Sequence, residues 1–285
     1  MTGSCVQRVR GVRGVRGVRE VRGFVRPAAP KRPVWRRVGG FAAFVAFITA
    51  ACGMSSQTPP GPSPITPTFS VLVFSMTAGF RHDSIPAGIT AIRQLGTTRG
   101  FSVDASEDAS VFTDESLAKY KAIVFLSTTG DVLNAAQEGA FERFIRRGGG
   151  FVGVHSATDT EYDWPFYGGL VGAYFAGHPE IQSATVQIED AAHPAASQLP
   201  RAWTRRDEWY NFRQNPRGRV NVIATLDERT YTGGTMAPDH PIVWSHVYEG
   251  GRSFYTALGH TQESFSEPAF VEHLGRAILW TAGLI

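Results

Sequence analysis

Short, nearly unbroken apolar runs at 71–75, 101–105, 122–127 and 151–155 have the pattern of strands buried on both faces. Between them lie stretches with helical spacing at about 84–99, 114–120 and 135–147. Ser84 with Pro86 just inside marks one helix start. Asn134 with Gln137 three residues on forms a capping-box pattern, and Gly148 to Gly150 end that helix. This alternation predicts an α/β body with a parallel βαβ progression. Further on the rhythm changes, and 184–189, 220–226, 242–248 and 252–258 read as strands, the last two joined in a hairpin by Glu249-Gly250-Gly251. A mixed sheet follows. A closing helix over 268–282 begins at Pro268 and spaces Phe270, Leu274, Ile278 and Trp280 so as to cover one sheet face.

Upstream of residue 69 the pattern is of another kind. Residues 11–19 repeat Gly-Val-Arg with too little apolar mass for a core, so this stretch is either a basic low-complexity extension or the result of a start placed too far upstream. Lys31-Arg32-Pro33-Val34-Trp35-Arg36-Arg37, the 14 apolar or small residues 38–51 and then Cys52 form the order of a secretory signal, too short for a membrane span. Thr49-Ala50-Ala51-Cys52 resembles a bacterial lipobox, with Thr49 in place of the preferred leucine and Cys52 as the lipidated residue; a plain signal peptide is the alternative. Arg36-Arg37 lacks the flanks of a twin-arginine signal. Residues 53–68, with Pro59, Pro60, Pro62, Pro64 and Pro67, read as a semi-stiff tether. The expected organisation is therefore 1–52 extension and signal or lipoprotein segment, 53–68 linker, and 69–285 a single domain of 217 residues. Its expected place is outside the cytoplasm, anchored to a membrane.

Charge sharpens this division. Residues 1–51 hold 11 Lys or Arg against the single Glu20, leaving 17 basic and 24 acidic residues for the remainder. The folded part is acidic, so the overall pI near 9 is no argument for nucleic-acid binding. Cys5 and Cys52 are the only two cysteines, which removes disulfides, thiolate metal sites and cysteine nucleophiles from 69–285.

Candidate chemistry rests on histidine. His155 ends a buried-strand run among small residues, at the strand end where open α/β sheets bind ligands. His82 lies in the loop after the first strand, before a helix N-terminus, and His178 and His260 follow a Gly-rich loop and the last strand. The remaining four histidines have plainer readings: His193 and His240 as turn residues before prolines, His246 on a strand face, and His273 on the polar side of the last helix. Glu208, Trp209 and Tyr210, in a segment mixing charges with aromatics, suit a sugar, as do Asp159 and Trp164 behind His155. Serine-hydrolase, phosphate-loop, dinucleotide and His-Glu-x-x-His patterns are absent from the sequence. A zinc-like divalent metal held by the dispersed histidines and Glu208 stays open.

Five segments together resemble the ThuA-like proteins associated with trehalose utilisation. They are Gly79-Phe80-Arg81-His82, the run from Gly148 to Ala157, Gly177-His178-Pro179, Asp207-Glu208-Trp209-Tyr210 and Ala257-Leu258-Gly259-His260-Thr261. The resemblance runs from about Ser70 to Gly283 and implies a three-layer sandwich with a mostly parallel central sheet, similar to class I glutamine amidotransferases (flavodoxin-like). In that fold the elbow after the fourth strand carries a cysteine; here it carries His155, so glutamine hydrolysis by a thiolate is not expected. The family link implies processing of a trehalose-related disaccharide or keto-sugar. His155, His82, His260 and Glu208 would be catalytic, and Arg81, Trp209, Tyr210, Asp159, Trp164 and His178 would bind substrate. A non-catalytic, tethered sugar-binding protein and a metal-dependent hydrolase are the alternatives.

Overall fold

A computed structural model describes residues 66–285. The basic repeat, the apolar stretch, Cys52 and residues 53–65 of the tether lie outside the described residues. The chain enters on β1 (Phe69–Phe74), followed by α1 (Ile85–Arg99), β2 (Phe101–Ser106), α2 (Asp114–Leu117), β3 (Tyr120–Leu126), α3 (Ala135–Arg146) and β4 (Gly150–Val154). α4 (Pro165–Val171), β5 (Phe175–Gly177), β6 (Gln182–Ile188), β7 (Ala202–Asp207), β8 (Asn211–Phe212) and β9 (Asn221–Asp227) come next. β10 (Pro241–Tyr248), β11 (Gly251–Thr256) and α5 (Pro268–Thr281) complete it.

Nine strands form one sheet in the order β2-β1-β3-β4-β11-β10-β9-β6-β7. The first five pair in parallel and the rest are added antiparallel, β10 and β11 through the expected hairpin. Helices cover both faces. On β3, Leu126 lies under Gly88 of α1, while its neighbour Phe125 stacks on Phe141 of α3 at 5.3 Å. Adjacent strand residues point to opposite faces, so α1 and α3 sit on opposite sides of the sheet. α5 joins α1, Gly275 lying against Leu95, and α4 joins α3, Tyr167 lying 5.6 Å from Phe125.

The capping box of α3 forms, and Gly148 takes a positive φ past its end. Ser84 stands at the start of α1, but its hydroxyl does not cap the helix; it donates to the Gly259 carbonyl at 3.2 Å, tying the helix start to the loop after β11. β7 was not anticipated. Its inward residues are Trp203, Arg205 and Asp207, so its inner face carries charge where a strand is recognised by apolar alternation. His273 is a further correction: it is fully enclosed, its Nδ1 bonded to the Ala195 carbonyl at 2.8 Å, because α5 is covered on that side by the turn at 194–196. His193 does serve a turn, accepting from the Ala195 amide.

Candidate active site

β4 lies between β3 and β11, its five residues all buried, and delivers His155 at its carboxyl end. There the backbone turns sharply: His155 has φ +51, a left-handed conformation that non-glycine residues adopt only when the surroundings enforce it. The Tyr255 hydroxyl donates to its carbonyl at 2.7 Å. Its Nδ1 lies 2.9 Å from the Ala257 carbonyl, an acceptor only, so Nδ1 carries a proton and Nε2 is turned into the site.

Nε2 of His155 faces two groups from other parts of the chain. His260 Nδ1 is 3.0 Å away and Glu208 Oε2 is 3.3 Å away, with His260 Nδ1 and Glu208 Oε2 also 3.0 Å apart. His82 packs its ring edge-on against His155 at 4.7 Å and His260 at 5.1 Å, and among the described residues its ring makes one hydrogen bond, a long one of 3.4 Å, with Ser156 Oγ. One nitrogen or oxygen from each of His82, His155, Glu208 and His260 lies within 4.8 Å of all the others. The loop holding His82 is fixed by Thr129, whose hydroxyl accepts from the Gly79 amide and donates to the Phe80 carbonyl.

Asp207 was not singled out from the sequence, yet it organises two of these groups. Oδ1 accepts from the Glu208 and His260 amides and Oδ2 from the Gly259 amide. It is fully buried and paired at 3.2 Å with the buried Arg205, whose guanidinium lies between the Trp203 and Phe270 rings. The adjacent-acid pair Asp207-Glu208 at a strand end was the available signal.

Electrostatics follow from enclosure. Burial, reinforced by the His155 and His260 charges, holds the His82 pKa down to about 2. Burial works to raise Glu208, but its hydrogen bonds and charge contacts with His155 and His260 outweigh this and place it below the usual carboxylate range. Burial works against protonation of His260, yet the Glu208 hydrogen bond and charge prevail and raise its pKa.

The predicted substrate residues divide. His178, its side chain 42% exposed, caps Glu208 Oε1 with Nδ1 at 3.0 Å, and Tyr210 lies on His155 at 4.3 Å. The other four make their contacts elsewhere. Trp209 is fully buried, its Nε1 donating to the Gln182 carbonyl, because in an extended segment it points away from the side shared by Glu208 and Tyr210. Trp164 packs in the helix layer on Phe141 and Tyr167 and donates to Glu142. Asp159 is taken up by the Tyr162 hydroxyl at 2.6 Å. Arg81 is half exposed and paired with Glu107 at 2.6 Å. The open ring beside the cluster is Phe80, 68% exposed and 4.9 Å from His82. Cavities of about 600 Å³ by Tyr162, Tyr174 and Arg213 and about 480 Å³ by Glu228 and His240 are not lined by the cluster, which meets solvent at His260 and His178.

The fold and this centre define an α/β protein with imidazoles and a carboxylate gathered at the carboxyl ends of parallel strands. Residues 70–281 match the family model described as ThuA, trehalose utilisation, and the chain belongs to that family. Solved structures agree. A putative ThuA-like protein from Bacteroides uniformis ATCC 8492 is 25% identical with a TM-score of 0.67, over 79% of this chain and 95% of that one. One from Parabacteroides merdae ATCC 43184 is 20% identical with a TM-score of 0.64, over 76% and 90%, a likeness of fold. No curated protein matches the chain.

Proposed function

We propose that the protein processes a trehalose-related disaccharide or its keto-sugar form by proton transfer at a carbon next to a carbonyl. The convergence of His82, His155, Glu208 and His260 carries this reading. His82 is the imidazole least committed to the protein, its side chain making one long hydrogen bond, and is assigned on this geometry as the base that takes the carbon-bound proton. His155, His260 and Glu208 bind one another and form the side on which charge developing on the carbonyl oxygen is stabilised. Phe80 offers the sugar an apolar ring face at the edge of the same cluster. The 2-1-3-4 strand order and the elbow at His155 support a glutamine amidotransferase-like (flavodoxin-like) ancestry in which His155 occupies the nucleophile position.

Trehalose, keto-trehalose and related keto-disaccharides, incubated with the full chain and followed by mass spectrometry, test the assignment. Product from the unaltered protein, with His82→Ala and His155→Ala slowed by about 10²- to 10⁴-fold, is the expected result. Equal turnover by both variants would refute it. Lipidation at Cys52, with tethering outside the cytoplasm, is proposed from the sequence pattern alone.

A further inference from the structure

We infer that His155, Glu208 and His260 are the ligands of a zinc-like divalent metal ion. The three facing atoms stand 3.0, 3.0 and 3.3 Å apart. Zinc bonds nitrogen and oxygen at about 2.0–2.2 Å, which in a tetrahedron separates neighbouring ligand atoms by roughly 3.3 Å. The triangle is thus already close to the face that a tetrahedral ion would sit on.

The donor set points the same way, since the three facing atoms come from groups that all ligate metals and lie in one enclosed cluster. Two imidazoles and one carboxylate are a donor set for first-row divalent metals, with further positions left for water or substrate.

The ligands are also held from behind, as metal ligands are. His155 Nδ1 is tied to the Ala257 carbonyl, and His178 Nδ1, hydrogen-bonded to the Pro179 carbonyl, lies 3.0 Å from the other oxygen of Glu208. Asp207 fixes the backbone amides of both Glu208 and His260. His82, close by but bonded only to Ser156, remains the base. The inference deepens the proposed function and rests on it for the ion's task, polarising the carbonyl oxygen of the sugar. Its test needs no sugar, so the two readings fail separately.

The experiment titrates zinc chloride into the chelator-stripped full chain by calorimetry, with metal content measured by mass spectrometry after purification without an affinity tag. One equivalent per chain is expected, lost in His155→Ala and Glu208→Gln, and bound roughly 10- to 100-fold more weakly in His178→Ala, which removes only the support of Glu208. Circular dichroism checks that each variant is folded; if the ligand variants unfold, the His178→Ala result decides. A Cys5→Ser/Cys52→Ser variant should keep its equivalent. No uptake by the unaltered chain, undiminished affinity in folded ligand variants or in His178→Ala, or loss of the equivalent with the cysteines would overturn the inference.

Discussion

Asp207 shows how much of the centre depends on a residue that touches no substrate. Its carboxylate gathers the amides of Glu208, Gly259 and His260 and is the buried partner of Arg205, which meets it through Nη2 while Nε and Nη1 make no hydrogen bond. Asp207→Asn leaves that guanidinium without its buried counter-charge, so stability should fall by about 3–5 kcal/mol, read by urea unfolding. Glu208→Gln, which spares the Arg205 pair, should lose far less. A result in the opposite order would show that Arg205 finds its charge balance in Glu267, 3.2 Å away. The histidines of the centre were legible as residues because each closes a strand or loop with small neighbours. Trp209 and Trp164 were not legible, since which way an aromatic points depends on strand register and helix packing.

At the scale of elements, α5 is held to the sheet partly by an ionisable group that must stay neutral. Burial lowers the His273 pKa to about 4, and His193, which stacks on Phe254 and packs on Trp280 near the same helix, is likewise lowered to about 4 by burial. Below the ordinary histidine value of 6.5 the unfolded chain takes up these protons and the folded one does not. Stability is therefore full above pH 6.5 and declines as pH falls towards 4, His273 alone accounting for roughly 3 kcal/mol. Unfolding curves at steps through this window should show the loss, and His273→Gln should flatten it. β1 to β4 with α1 and α3 could be read from the chain because apolar periodicity and caps agree there. β7 could not, since its inner positions hold the charges of the Asp207 cluster, and satisfying them takes partners from the loop after β11 and from Glu267 just before α5.

Across the whole molecule, the centre joins the parallel and antiparallel parts of the sheet. His82 follows β1, His155 follows β4, Glu208 follows the far edge strand β7 and His260 follows β11. An ion bound by the last three links elements distant in sequence, so it should stabilise the body as a unit. At 100-fold excess over its dissociation constant, zinc should add about 2.7 kcal/mol, seen as a higher Tm that a chelator reverses and that Glu208→Gln does not show. The chain alone determined the α/β class, the absence of thiol chemistry from the body and the family, because these depend on composition, periodicity and local motifs. Only the tertiary structure decided that Glu208 reaches His155 and His260, that Asp207 supports them and that Trp209 is closed off. The contacts that join His155, Glu208, His260 and the support of Asp207 for His260 span 52 to 105 residues along the chain, and a pattern that repeats every two or four residues carries no record of what meets across such a distance.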